Sequence, residues 1–383
     1  MVTAASIGAR MIAPFLARPA DRPPAEILLL RLDRIGDVLM SLPAIHALRE
    51  ALPAAKIRLA VGEWSREIAV DAPVDEVLVW SAPWVGRRDE GAASLAALFQ
   101  AARSRRAMRP DLAIDLQGDS RAMWLMAASG ARARVGYANT GSAGLLTTVA
   151  DLNEDVSFVE QNYLAVEAAL GRLVPRKPFR WLDAARRARG SAFLAARLAE
   201  AGLRPQGPLI GIHPGAGRHI KEWPIERFVD LGRRLVQEKR AVLIVTGSAS
   251  EADKARSIAE SVPGAALNLS GQLKLGAFAE AMSALDAFIS CDTSAMHFAC
   301  AIGLPSISIF GPSDPGRYFS GSDQGFGSGQ KHVALAPTLW CSPCNLIRRP
   351  PEECDAAPAP ECLAQITTDA VFEAMVGLLS SGR

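Results

Sequence analysis

The chain has 383 residues, 49% hydrophobic and 21% charged, with a formal net charge of +2. That length suits two globular domains, and the near-neutral balance gives no footing for a nucleic-acid binder. No apolar stretch reaches the ~20 residues of a membrane span.

Residues 1–25 carry an apolar patch interrupted by Arg10, Pro14 and Arg18, which makes a poor secretory signal. The chain therefore reads as cytoplasmic. The extension itself reads either as disordered or as a short amphipathic helix peripheral to the inner face of the cytoplasmic membrane. From residue 26 onward, apolar β-branched runs alternate with helical patterns. The first half offers "EILLLRL", "KIRLAV", "EVLVW", "DLAIDLQ" and "ARVGY" as strands, and the second "PLIGIHPG", "AVLIVTGS", "AALNLSG", "AFISCD" and "SISIFGP". Strands that are apolar throughout are buried on both faces, and intervening helices imply parallel crossovers. The expected fold is α/β, with two doubly wound Rossmann-like domains facing each other across a cleft. The expected boundaries are 26–180 for the first domain and 181–362 for the second, joined in the Pro-rich stretch 172–207, with a C-terminal helix in 363–383.

In open α/β sheets ligands bind beyond the C-terminal ends of strands, so the loops there hold the candidates. After the first strand comes "RLDRIGDVLMSLPA", where Gly36 allows a sharp helix entry and Asp37 stands near the helix N-terminus. Asp37 is either a helix cap or, facing an acceptor hydroxyl, a general base; Asp33 is the competing carboxylate. Arg31 and Arg34 would hold that base or bind an anionic acceptor. The ends of "DLQGDSRAMW" and "ARVGY" add Asp115, Gln117, Arg121, Gly136 and Tyr137, groups of the kind that read sugar hydroxyls. Arginines cluster at Arg103, Arg105, Arg106 and Arg109, and again at Arg186, Arg187 and Arg189. Such clusters are solvated faces or surfaces for an anionic acceptor or lipid headgroups.

In the second half, "GIHPGAGRHIKEWPIERF" places Gly215 and Gly217 where backbone N–H groups could approach a phosphate, with Lys221 to balance its charge. His213 and His219 are either further phosphate donors in that loop or incidental loop histidines. "VTGSASE" contributes Gly247 and Ser248, as a tight turn or as a ligand contact. "SCDTSAMHFACAIGLP" contributes Asp292, Thr293, Ser294 and His297 at a helix start, either as caps or as a second anion contact. Together these loops suit a nucleotide diphosphate. Cys291 and Cys300 read as small core residues. Cys341, Cys344, Cys354 and Cys362 share a Pro-rich loop, 341–362, whose thiols could hold a structural zinc, form disulfides or stay free. The chain lacks the G-x-G-x-x-G of a dehydrogenase after its first strands and the G-x-x-x-x-G-K-[ST] of a P-loop kinase.

From residue 26 on, "RIGDVLMSLPAIHALREALP", "DLQG", "RVGY", "IHPGAGRHIKEWPIERF" and "CDTSAMHFACAIGLPSISIFGPSDPGRY" resemble glycosyltransferase family 9, the lipopolysaccharide heptosyltransferases. The resemblance implies a GT-B fold, an acceptor-binding first domain and a second domain that binds ADP-heptose. It implies inverting transfer to a lipopolysaccharide core or other lipid-linked or glycan acceptor, with no cofactor required and no metal at the active site. It makes Asp37 the general base and Lys221 the phosphate-neutralising lysine. Asp292, Thr293, Ser294 and His297 become donor contacts. The alternatives are a family 9 enzyme using another nucleotide sugar and a non-catalytic nucleotide-sugar-binding protein.

Overall fold

The computed structural model describes residues 22–80, 82, 84, 85, 95–104, 109–319, 332–347, 349–356 and 359–381. The chain divides into two compact units, Met1–Lys177 and Pro178–Arg383, the division falling inside the Pro-rich stretch.

In the first unit six strands form one sheet: β1 (Glu26–Arg31), β2 (Lys56–Val61), β3 (Glu76–Val79), β4 (Leu112–Asp115), β5 (Ala133–Gly136) and β6 (Thr148–Val149). Their order is β3-β2-β1-β4-β5-β6, with every neighbour parallel. The longer helices are α1 (Ile35–Ala51), α2 (Leu95–Ser104), α3 (Ser120–Ala128) and α4 (Phe158–Leu170). "EILLLR" forms β1 because five of its six positions are buried, which only a central, two-sided strand requires.

The second unit repeats the plan with β7 (Leu209–His213), β8 (Val242–Val245), β9 (Ala266–Asn268), β10 (Ala287–Cys291), β11 (Ser306–Ile309) and β12 (His332–Leu335). Their order is β12-β11-β10-β7-β8-β9, again parallel throughout. Counted from its own first strand, each sheet therefore runs 3-2-1-4-5-6, the doubly wound order that opens a switch point between strands 1 and 4. The longer helices are α5 (Ala184–Glu200), α6 (Ile225–Lys239), α7 (Ala252–Glu260), α8 (Leu275–Met282), α9 (Ser294–Ile302) and α10 (Thr368–Ser381). All ten strands expected from the sequence are present; β6 and β12 are additional. Among the described residues no helix is long and apolar enough to cross a membrane.

The arginines at the start of α5 do not form the free anion surface that was one reading of them. Arg186 and Arg189 pair with Glu280 of α8, and Arg187 donates to the carbonyl of Ile302. They pin α5 onto its neighbours. Arg105 and Arg106 of the earlier cluster, like residues 1–21 of the N-terminal extension, lie outside the described residues. α10 closes the second core with Val371, Phe372 and Met375, and the Trp223 indole donates to the Ile366 carbonyl just before it (2.8 Å). Cys291 and Cys300 are buried thiols, as their apolar settings suggested.

Candidate functional site

Each unit carries its polar residues at its switch point. In the first, β1 ends at Arg31 and β4 at Asp115, adjacent strands whose chains leave in opposite directions. The Arg31 guanidinium is buried; it donates from Nη1 to the Leu116 carbonyl and from Nε to the Asp37 carbonyl (3.2 Å). Its Nη2 lies 3.5 Å from Asp37 Oδ1. Arg31 is thus an internal cation that holds the start of α1 and the Asp37 carboxylate, the first of the two roles the sequence offered it. Arg34 stays exposed at the N-cap position of α1, its amide donating to Asp33 Oδ1 (2.9 Å).

Asp37 sits in the first turn of α1, and its side chain retains 23% exposure. Burial and the neighbouring Asp33, with which it shares a hydrogen bond, push its carboxyl up to about 7, against the pull of Arg31 and Arg34. A carboxyl of that kind is matched to proton transfer near neutral pH. Asp115, fully buried at the end of β4, is also pushed up to about 7 by burial. Its two oxygens accept the backbone N–H groups of Gln117 (2.9 Å), Gly118 (3.1 Å) and Asp119 (3.1 Å). Gly118 takes φ +79°, a conformation open to glycine, which lets three consecutive amides turn toward one carboxylate.

Asp115 and Tyr137 were expected to read sugar hydroxyls, but both point inward; the Tyr137 hydroxyl donates to the Gln161 carbonyl (2.6 Å). Gly136 serves packing, because a side chain there would meet the Asp115 Cβ at 3.3 Å. Gln117 remains at the site with a buried Oε1 that has no described partner. Arg121 pairs with Asp119 and stacks over the Trp84 ring at 4.2 Å.

Asp37 and Asp115 bind protons more tightly in the folded chain than a free carboxyl near 3.8 would. Their contribution to stability is therefore complete below about pH 4 and is lost as pH rises through about 7. Melting curves between these limits should show a shallower fall in Asp37→Asn than in the wild type. Equal slopes would mean that Asp37 titrates like an exposed carboxyl.

In the second unit the switch point lies between β7 and β10. Lys221 Nζ, in the loop after β7, meets Asp292 Oδ2 at 2.6 Å, and Asp292 also accepts from the Ser313 hydroxyl in the loop after β11. Thr293 occupies the N-cap of α9 without a side-chain cap bond, and Ser294 is the first residue of that helix. His297 lies one turn in, buried, and burial lowers it to about 4, so it is a neutral imidazole.

The glycine loops differ from the phosphate cradle they suggested. A side chain on Gly215 would overlap the Glu251 carboxylate, 1.9 Å away, and one on Gly247 would meet Glu251 Cβ at 3.3 Å. The room these glycines leave is filled by Glu251, whose carboxylate also accepts the Ser248 amide (2.6 Å) and lies 3.8 Å from His213 Nε2. Ser248 accordingly acts as the cap of the turn Ala249–Glu251. Gly217 is exposed, with nothing near its missing side chain. His213 bonds Thr246 Oγ1 (3.1 Å), and burial pulls it below its ordinary range. His219 faces outward beside Asp355 (3.4 Å). Glu251, Ser313 and the Glu222–Lys254 pair were not singled out from the sequence; only Glu251 left a signal there, as the last residue of the capping box Ser248-x-x-Glu251.

The zinc reading of the cysteine loop is not supported, since among the described residues no three His, Cys, Asp or Glu side chains are arranged to hold a metal. Cys362 is buried in the second core, whereas Cys341 is exposed. The loop instead buttresses the site: the Ser342 hydroxyl donates to the Gly311 carbonyl (2.9 Å), and the Asn345 side chain accepts the Asp314 amide (3.0 Å).

A family described as glycosyltransferase family 9 (heptosyltransferase) matches residues 98–350. Lipopolysaccharide heptosyltransferase 1 of Pseudomonas aeruginosa is 29% identical over 140 residues, 37% of each chain. Lipooligosaccharide heptosyltransferase 2 of Haemophilus ducreyi is 25% identical over 303 residues, 76% of this chain and 84% of that one. Among solved structures, ADP-heptose lipopolysaccharide heptosyltransferase II of Escherichia coli superposes with a TM-score of 0.71 at 20% identity, covering 93% of this chain and 99% of that one. Two parallel switch-point sheets and a family match across two thirds of the sequence lead to one conclusion: the chain is a GT-B glycosyltransferase and belongs to glycosyltransferase family 9, the heptosyltransferase family.

Proposed function

We propose that this glycosyltransferase moves heptose from ADP-heptose to a lipopolysaccharide core or related lipid-linked glycan, in one inverting displacement with Asp37 as general base. The observation that carries the reading is the Asp37 carboxyl itself, mostly buried at a switch point and held near 7. Asp37 takes the proton of an acceptor hydroxyl while that oxygen attacks the anomeric carbon, and the bond from that carbon to the diphosphate breaks. The diphosphate gains charge as it leaves. Lys221 has three N–H donors, so it can keep Asp292 and still face a phosphate oxygen, and the N-terminus of α9 adds further positive potential. Gln117 and Arg121 are the acceptor-side polar groups of the first unit, with Arg34 the exposed cation beside the base. Donor identity is supported by the names of the relatives, which pair heptose with lipopolysaccharide and, for the Escherichia coli structure, with ADP. A lipid-linked acceptor would bring the enzyme to the inner membrane surface.

A thermal-shift panel of ADP, UDP, GDP and CDP tests the donor. A ligand at ~100 times its dissociation constant stabilises by about 2.7 kcal/mol, so ADP should raise the melting temperature selectively. Stabilisation by another nucleotide in place of ADP would discard ADP-heptose while leaving family and fold intact.

A further inference from the structure

Arg31 is the feature of the first unit that the displacement leaves unexplained. Leaving an arginine almost wholly buried is costly unless its donors are satisfied, and here they are spent on two pieces of backbone and one carboxylate. Nη1 holds the Leu116 carbonyl at the end of β4, Nε holds the Asp37 carbonyl in the first turn of α1, and Nη2 faces the Asp37 carboxylate at 3.5 Å. The guanidinium fork thus ties the helix that presents Asp37 to the neighbouring strand end. A planar fork with fixed donor directions does this better than a flexible ammonium.

The same cation acts on a second carboxylate. Arg31 lowers both Asp37 and Asp115, opposing the burial that raises each. The other groups facing this cluster are Asp33 and Arg34 from the entry to α1, Asp119 from the loop after β4 and the neutral Tyr137 hydroxyl just after β5. Asp33 opposes ionisation of Asp37, as Asp119 opposes that of Asp115, and Arg34 adds a weaker pull from its exposed position. Arg31 is the one cation among them that is both buried and anchored.

We propose that Arg31 is a positioning residue for proton transfer: held by the Leu116 carbonyl, it fixes the Asp37 carboxylate and supplies the buried cation that keeps it ready to accept a proton. The inference rests on the reading of Asp37 as base and adds a residue that acts through it. Its consequence is directional. An opposite charge at this range lowers a carboxyl by roughly one to three pH units, so removing Arg31 should raise Asp37 by an amount of that order and leave little base at neutral pH.

The test is carboxyl-carbon NMR of the full-length protein labelled at aspartate, with Asp37→Asn identifying the Asp37 resonance by its loss. This readout needs no substrate, so it stands apart from whether Asp37 is the base, which the activity of Asp37→Asn decides. In Arg31→Gln the Asp37 midpoint should rise by about one pH unit or more, and in Arg31→Lys, which keeps a charge but not the fork, it should rise less. If Arg31→Gln does not fold, Arg31→Lys carries the comparison alone. A midpoint equal to the wild-type value in the folded variant would overturn the proposal.

Discussion

Asp37→Asn is expected to lower turnover roughly 10²–10⁴-fold while nucleotide affinity stays within a few-fold of wild type, because a positioned base contributes about that much and Asp37 belongs to the first unit. Asparagine keeps the shape of the side chain and removes its proton affinity, so the loss reports chemistry and not packing. Asp33→Asn separates the two carboxylates. It takes away a charge that raises Asp37, so the acidic limb of its pH–rate profile should move to lower pH with turnover largely kept. Turnover and KM across pH 5–9 for the three proteins decide the matter. A fall in Asp33→Asn as deep as that in Asp37→Asn would give the role to Asp33, and near-normal turnover in Asp37→Asn would remove the base from the mechanism.

The strands were readable from the sequence because a central parallel strand must be apolar on both faces, a pattern that "EILLL" and "AFISC" show without reference to anything distant. β6 and β12 escaped because neither holds a fully buried residue: Thr148 and Val149 are exposed, and all four residues of β12 are half-buried, whereas the edge strands β3 and β9 each bury a leucine. In the site, Asp37 and Lys221 could be located because each follows a strand by a short, chemically marked loop. The anchor of Arg31 on the Leu116 carbonyl and the role of Glu251 were hidden for a common reason. An arginine at a strand end looks the same whether it points to solvent or to the Leu116 carbonyl 85 residues away. A glycine looks the same whether it makes room for a phosphate or for Glu251. Both depend on contacts between loops that only the folded sheet brings together.

Lys221→Ala should show two effects that a second substitution can separate. At the switch point of the second unit, Lys221 and Asp292 form an ion pair whose side chains are 16% and 4% exposed. Removing the lysine leaves a nearly dry carboxylate with the Ser313 hydroxyl as its described donor, and breaking a buried pair from one side costs about 3 kcal/mol. In a unit of this size that corresponds to a melting temperature lower by roughly 6–12 °C. The same variant loses the cation offered to the departing diphosphate, so stabilisation by ADP should disappear. Adding Asp292→Asn removes the stranded charge and should recover much of the melting temperature, but it cannot restore nucleotide binding, since the lysine is still missing. The pair has a counterpart in the first unit, where Arg31 at the end of strand 1 reaches the chain leaving strand 4, as Lys221 reaches Asp292. In both, a cation bridges the gap that the doubly wound order opens between strands 1 and 4. A double variant that regained ADP stabilisation along with its melting temperature would show that Lys221 serves the fold alone, and the phosphate-binding role would then pass to the N-terminus of α9.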